Sequence, residues 1–106
     1  MEMTAVASVS TWRPLQGKSQ EFLAVAAKAK KIHEKHGAKV RMWSSFAGAQ
    51  PMTFGYVVEH ASWATFGAFG EKMERDNEWT TLWADALAHP TADLVAQSVV
   101  TETPGF

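Results

Sequence analysis

Two residues in one short segment could take part in proton transfer. Tyr56 and His60 lie in the stretch FGYVVEH, whose alternating side chains are typical of a β-strand. Side chains four residues apart share a face of a strand, and here they are separated by about 13 Å. That separation is too long for one group to deprotonate the other directly. We expect His60 to be a catalytic base towards a bound phenol or enol; the alternative is a structural histidine at a strand end.

A cation and an indole follow one another on a second predicted strand. Arg41 and Trp43 are two residues apart, so their side chains share a face about 6.6 Å apart. They could stack as a cation–π pair or hold an anionic aromatic ligand together. The alternative is that an arginine covers a tryptophan at a subunit interface. The predicted ligand-binding residues are Trp12, Arg41, Trp43, Phe54 and Tyr56.

The sequence gives little support for a metal site or for thiol chemistry. The sequence contains no cysteine, which excludes disulfides, thiolate nucleophiles and zinc–thiolate sites. His33 and His36 have the spacing of half a metal site, but no third ligand follows at a recognisable distance. Their position near a predicted helix end favours a role in stabilising the helix dipole. We predict no metal and no cofactor.

Length and charge narrow the class of protein. The 106 residues fit one domain, predicted to cover positions 1–106. The formal net charge of -1 predicts no binding of nucleic acid or anionic lipid. No apolar stretch approaches the roughly 20 residues that cross a bilayer, and no export signal is apparent. We expect a cytoplasmic protein without a membrane partner.

The elements that must position these residues follow from periodicity. Strands are predicted at 4–12, 38–46, 52–60 and 93–102, with a turn at 47–51. A helix is predicted between Gly17 and Gly37, with Gly17 or Ser19 as its N-cap. A second helical region starts at Ser62 and restarts at Asp76 or Asn77, ending before His89. The order β-α-β-β-α-β predicts an α+β, ferredoxin-like fold: a four-stranded antiparallel sheet with helices on one face.

Alternation along the strands sorts the side chains into two sets. We expect the smaller aliphatic set to face the large helix rings: Ala5, Ala7, Val9, Val40, Met42, Gly55, Val57, Val95 and Val99. The open face would then carry Ser8, Ser10, Trp12, Arg41, Trp43, Phe54, Tyr56, Val58, His60, Ala96, Ser98 and Val100. So many exposed rings predict cover by a second copy of the chain, with a small-molecule pocket between the two sheets.

The segment WRPLQGKSQEFLAVAAKAKKIHEKHGAKVRMW resembles the turn, amphipathic helix and K-H-G helix end of the dimeric α/β barrel superfamily. The segments EHASW and RDNEW are similar to its NIPSNAP-like branch. The resemblance implies a homodimer with a cavity. Related branches include cofactor-independent antibiotic-biosynthesis monooxygenases, polyketide cyclases and haem-degrading enzymes. The helix starting at Ser62 offers no axial histidine, which disfavours the haem-degrading branch.

Two functions are therefore expected. The first is a dimeric protein that binds a small aromatic or polyketide-like molecule and acts as a cofactor-independent monooxygenase. In this hypothesis His60 is the base, Arg41 an anion clamp, and Trp12 and Trp43 stacking walls. The alternative is a non-catalytic structural homodimer of NIPSNAP-like type, joined through the open sheet face.

Overall fold

Four strands and three helices follow one another in the predicted order. The computed structural model describes residues 4–49 and 52–106. The elements are β1 (Val6–Pro14), α1 (Ser19–Lys35), β2 (Lys39–Ser44), β3 (Phe54–His60), α2 (Trp63–Glu74), α3 (Asn77–Ala88) and β4 (Ala92–Thr101). The sheet order is β2-β3-β1-β4, and each pair of neighbours is antiparallel. The ferredoxin-like α+β prediction is confirmed. Residues 50 and 51 of the predicted turn lie outside the described residues.

The second helical region is broken where the sequence predicts. Ser62 caps α2, since its hydroxyl oxygen accepts a hydrogen bond from the Thr65 amide at 3.2 Å. Asp76 caps α3 and accepts from the Trp79 amide at 2.9 Å. Each cap satisfies a backbone donor that has no partner within its own helix. The two caps therefore fix where the aromatic side chains of α2 and α3 begin.

Helix α1 differs from the prediction at its start. Its N-cap residue is Lys18, which makes no side-chain capping hydrogen bond, so Gly17 and Ser19 were the wrong choices. At the other end Gly37 has a φ of +91°, the left-handed conformation expected after a helix. Within residues 4–49 and 52–106, no helix combines the length and apolar content needed to cross a membrane.

An ionic cluster joins the end of α1 to the start of α3. The Asp76 carboxylate lies 2.8 Å from Lys35 Nζ and 2.6 Å from His36 Nε2. Hydrogen bonds from Lys35, His36 and the Trp79 amide hold the pKa of Asp76 far below its usual range. The carboxylate contact of His36 adds to the helix-end role that the sequence suggests for it. The cluster also brings Trp79 of α3 against His33 of α1, with ring centroids 4.6 Å apart.

The prediction of which sheet face meets the helices is wrong for β1 and β3. Tyr56 bonds to His33 of α1, and His60 contacts Phe66 and Phe69 of α2. Their partners on β1 share that face, because directly paired residues in an antiparallel sheet point the same way. The helix-facing set on these two strands is Val6, Ser8, Ser10, Trp12, Phe54, Tyr56, Val58 and His60. Both are central strands with apolar residues on both faces, so alternation alone does not tell the inner face from the outer one.

The edge strands face as predicted except at Val95 of β4, for which the sequence predicts a helix-facing position but which is the extra residue of a bulge. Met42 pairs with Tyr56 and therefore faces the helices, whereas Arg41 and Trp43 lie on the open face. On β4, Val99 pairs with Ser8 on the helix side, and Ser98 lies on the open side. The register shifts between Thr11 and Trp12, so that Leu94 lies opposite Trp12. The bulge places Leu94 on the helix-facing side of the sheet.

Candidate functional site

A cavity of about 720 Å³ lies between the helices and the helix-facing side of the sheet. Among the described residues, every helix and strand except β2 contributes to its lining. Its walls are largely apolar and include seven aromatic side chains: Trp12, Phe22, Tyr56, Phe66, Phe69, Trp79 and Trp83. Polar side chains are few, which is the usual composition of a small-molecule site. The sequence predicts a pocket between two sheets, whereas this cavity lies within a single subunit.

His60 lines the cavity and has a buried polar atom without a hydrogen-bond partner. The residue is 4% exposed, and Nε2 has no hydrogen-bond partner among the described residues. Phe69 and Phe66 enclose the ring, with centroids 4.5 Å and 5.2 Å away. A buried polar atom without a partner is costly in a folded protein, and such atoms often mark a site that a ligand or water completes.

A second polar group is a pair of buried side chains. His33 Nδ1 lies 2.7 Å from the Tyr56 hydroxyl oxygen. In one tautomer of His33 the hydroxyl donates to Nδ1, and in the other Nδ1–H donates to the hydroxyl oxygen. In the second arrangement the Tyr56 proton is free to bond a ligand. His33 thus fixes the position of the phenol from the helix side.

Ser10 and Trp12 form a smaller polar contact in the same wall. The indole Nε1–H of Trp12 donates to Ser10 Oγ at 2.9 Å. The indole ring packs against Phe22, with centroids 6.1 Å apart. The tryptophan therefore contributes its apolar ring to the cavity while its only polar atom is already satisfied.

Burial keeps His33, His60 and Tyr56 uncharged near neutral pH. Burial, followed by the charges of His60 and His36, lowers the pKa of His33 from 6.5 to about 4. Burial also lowers the pKa of His60. Burial and then the charge of Glu34 raise the pKa of Tyr56 above its usual value. Neutral imidazoles can accept a proton, and a neutral phenol can donate a hydrogen bond.

Comparisons with known proteins show the fold. No family model matches the sequence, and no curated protein matches it significantly. Among solved structures, an uncharacterised NIPSNAP domain protein from Burkholderia xenovorans superposes with a TM-score of 0.72 at 21% identity, over 93% of each chain. A NIPSNAP family protein of unknown function from Agrobacterium tumefaciens gives 0.70 at 13% identity, over 94% of this chain and 87% of its own. The chain has the ferredoxin-like fold of these NIPSNAP structures.

A third similar structure is named for an enzyme class. It is a candidate antibiotic biosynthesis monooxygenase from Chloroflexus aurantiacus, with a TM-score of 0.64 and 10% identity over 96% of each chain. Identities this low carry the fold and leave the chemistry to the residues of the site.

The NIPSNAP-like fold separates the residues singled out in the sequence. His60, Tyr56 and Trp12 line the cavity. Phe54 lies on the same sheet face, against Phe22, with ring centroids 5.5 Å apart. Arg41 and Trp43 lie on the opposite face, and Trp43 is 61% exposed. The expected anion clamp is therefore not part of this cavity.

Sequence reasoning did not assign His33 to the site. It shares one buried face of α1 with Phe22, Ala26 and Ala29, at spacings of four, three and four residues. That spacing could have identified it as an inward-facing histidine. Among the described residues, no cluster of three or more histidine, cysteine, aspartate or glutamate side chains could hold a metal ion.

The buried His33 predicts a loss of stability in mild acid. Its pKa in the folded protein, about 4, lies below the ordinary 6.5, so between these values the unfolded chain binds more protons. The free energy of unfolding therefore falls as the pH drops from 6.5 towards 4, by about 2 kcal/mol after allowing for partial solvent screening. Urea unfolding at about pH 7 and about pH 4.5 measures the difference.

Two variants assign this acid effect to His33. His33→Gln should shrink the difference between the two pH values, whereas His89→Gln, at an exposed position after α3, should keep it. The stabilisation from Asp76 is lost only below the ordinary carboxyl value of 3.8, outside the tested range. An unchanged difference in His33→Gln would show that His33 is not the source of the acid effect and would leave His60, whose pKa is also lowered by burial, as its source.

Proposed function

We propose that the protein binds a small aromatic or polyketide-like molecule in the cavity between helices and sheet, and oxygenates it without a cofactor. The observation that carries the proposal is the unpartnered Nε2 of His60 in the wall of an aromatic cavity. In this proposal His60 takes the proton of a phenol or enol, Tyr56 holds the ligand oxygen, and Trp12 packs against the ring. Phe54 supports the wall from behind Phe22.

Oxygenation without a cofactor requires that the substrate itself supplies electrons. Loss of a phenolic proton to His60 makes the ring electron-rich enough to react with molecular oxygen. One oxygen atom then enters the ring and the other leaves as water, while the diol is oxidised to a hydroxyquinone. For naphthalene-1,4-diol, one molecule of oxygen gives 2-hydroxy-1,4-naphthoquinone and one molecule of water. Uncatalysed autoxidation instead gives 1,4-naphthoquinone and hydrogen peroxide.

These different products provide the test. The protein is incubated with naphthalene-1,4-diol in an oxygen electrode, and quinones and peroxide are quantified against a protein-free blank. The proposal is supported if oxygen uptake exceeds that of the blank, the hydroxyquinone is the product, and no more peroxide forms than in the blank. If the diol neither binds in equilibrium dialysis nor reacts faster than in the blank, the proposal is wrong.

The proposal also includes a homodimer formed through the open face of the sheet. Trp43 is 61% exposed on β2, and Val100 is 45% exposed on β4. Arg41, also exposed, lies beside Trp43 on the open face. Exposed aromatic and arginine side chains on one sheet face are characteristic of a subunit interface. Here Arg41 and Trp43 are interface residues of the proposed dimer.

Removing the exposed indole is expected to weaken the dimer. Trp43→Ala should raise the dissociation constant about tenfold or more, because buried tryptophans commonly dominate interfaces. Trp63→Ala is the matched control, since Trp63 is 58% exposed but lies on α2. Sedimentation equilibrium measures both variants. A wild-type protein that stays monomeric at micromolar concentration, or equal weakening by both variants, would contradict an interface on the open face.

A structural homodimer without a ligand is the second candidate. Exposed Trp43 and Val100 on the open face favour it as much as they favour the first proposal, because both need the same dimer. The cavity of about 720 Å³ supports the ligand-binding function, since a protein that only dimerises has no need of it. The dialysis experiment separates the two candidates, because only the first predicts binding of the diol.

A further inference from the structure

We propose that the cavity selects an uncharged ring compound and rejects the corresponding carboxylate. The inference rests on the proposed function and narrows its substrate class to neutral phenols, quinols and enols. This inference differs from the sequence analysis, in which Arg41 and Trp43 suggest an anionic aromatic ligand. The inference is based on which charged side chains line the cavity.

No described lysine or arginine lines the cavity. Among the described residues that line the cavity, Asp93 of β4 is the one with an ionic side chain; it is exposed and lies opposite Arg13 of β1. Arg41 is on the other face of the sheet. An anion that entered would lose its hydration without meeting a counter-charge, which is strongly unfavourable in an apolar site.

The polar groups that remain suit a neutral oxygen. The Tyr56 hydroxyl is hydrogen-bonded to His33, and the buried Nε2 of His60 has no hydrogen-bond partner among the described residues. Both imidazoles have pKa values lowered by burial, so neither supplies a positive charge near neutral pH. A hydroxyl or carbonyl group on a ring can bond to either site without bringing a charge into the cavity.

Three probes with one ring system test the selection: 2-naphthol, 2-naphthoate and 2-naphthylmethylammonium. They have similar apolar surface and differ in charge near pH 7. Equilibrium dialysis of the full chain measures their dissociation constants. We expect 2-naphthol to bind at least about tenfold more tightly than either ion, because only the neutral probe avoids uncompensated burial of charge.

Substitutions at two aspartates test whether the charge of Asp93 contributes to the rejection of the carboxylate. Asp93→Asn should bring the dissociation constant of 2-naphthoate closer to that of 2-naphthol. Asp85→Asn, at an exposed position of α3 outside this cavity, should leave both constants unchanged. Equal or tighter binding of either ion by the wild-type protein overturns the charge selection and leaves ligand binding intact. Binding of none of the probes overturns both the selection and the proposed function. Tighter binding of 2-naphthol with no effect of Asp93→Asn supports selection by the apolar interior.

Discussion

Replacing His60 with glutamine is expected to lower the rate of protein-dependent oxygen uptake with naphthalene-1,4-diol about 100-fold. Glutamine has a similar length and can form hydrogen bonds, but it does not accept a proton near neutral pH. The Nε2 atom of His60 is buried and unpartnered in the cavity wall, so no other contact of this atom is lost on substitution. The loss should therefore fall on the step in which the phenolic proton leaves.

The control separates proton transfer from ligand binding. Dialysis with 2-naphthol, which does not react, should show binding to His60→Gln within a few-fold of wild type, since the apolar walls are unchanged. His89→Gln replaces an exposed histidine and should retain the full rate. If His60→Gln consumes oxygen and forms the hydroxyquinone at the wild-type rate, His60 is not the base.

The fold could be predicted from the sequence because the local signals in the chain agree with one another. The caps at Ser62 and Asp76 and the left-handed Gly37 mark helix ends through short-range hydrogen bonds and backbone sterics. Periods of two and 3.6 residues separate strands from helices. Such signals depend only on neighbours in the chain, so a single sequence contains them.

The site was only partly accessible, because it depends on which sheet face meets the helices. Alternation correctly groups Tyr56 and His60 with Trp12 on one face, but it assigns that face to the open side of the sheet. A strand with apolar side chains on both faces gives the same pattern when it is turned over. Only the tertiary contact of Tyr56 with His33 decides between the two orientations. The same contact makes His33 a site residue and removes Arg41 from the cavity.

Phe22 is expected to be the residue whose truncation costs the fold most. It is 6% exposed, and its ring contacts Trp12 at 6.1 Å and Phe54 at 5.5 Å between centroids. It thereby joins α1 to the sheet at one side of the cavity. Phe22→Ala should lower the free energy of unfolding by about 3–4 kcal/mol through lost burial and an enlarged void. The corresponding fall in melting temperature is about 15 °C.

The neighbouring Leu23 provides a matched comparison, since it belongs to the same helical turn but is 36% exposed. Leu23→Ala should cost about 1 kcal/mol, because about a third of its surface stays in water and its truncation leaves no enclosed void. Urea unfolding followed by circular dichroism measures both variants. Protein concentration is kept fixed, since a dimer adds a concentration-dependent term. Equal losses in the two variants would show that α1 is not held to the sheet through the Phe22 ring. That result would also show that the Phe22 ring is not a fixed part of the wall of the proposed binding cavity.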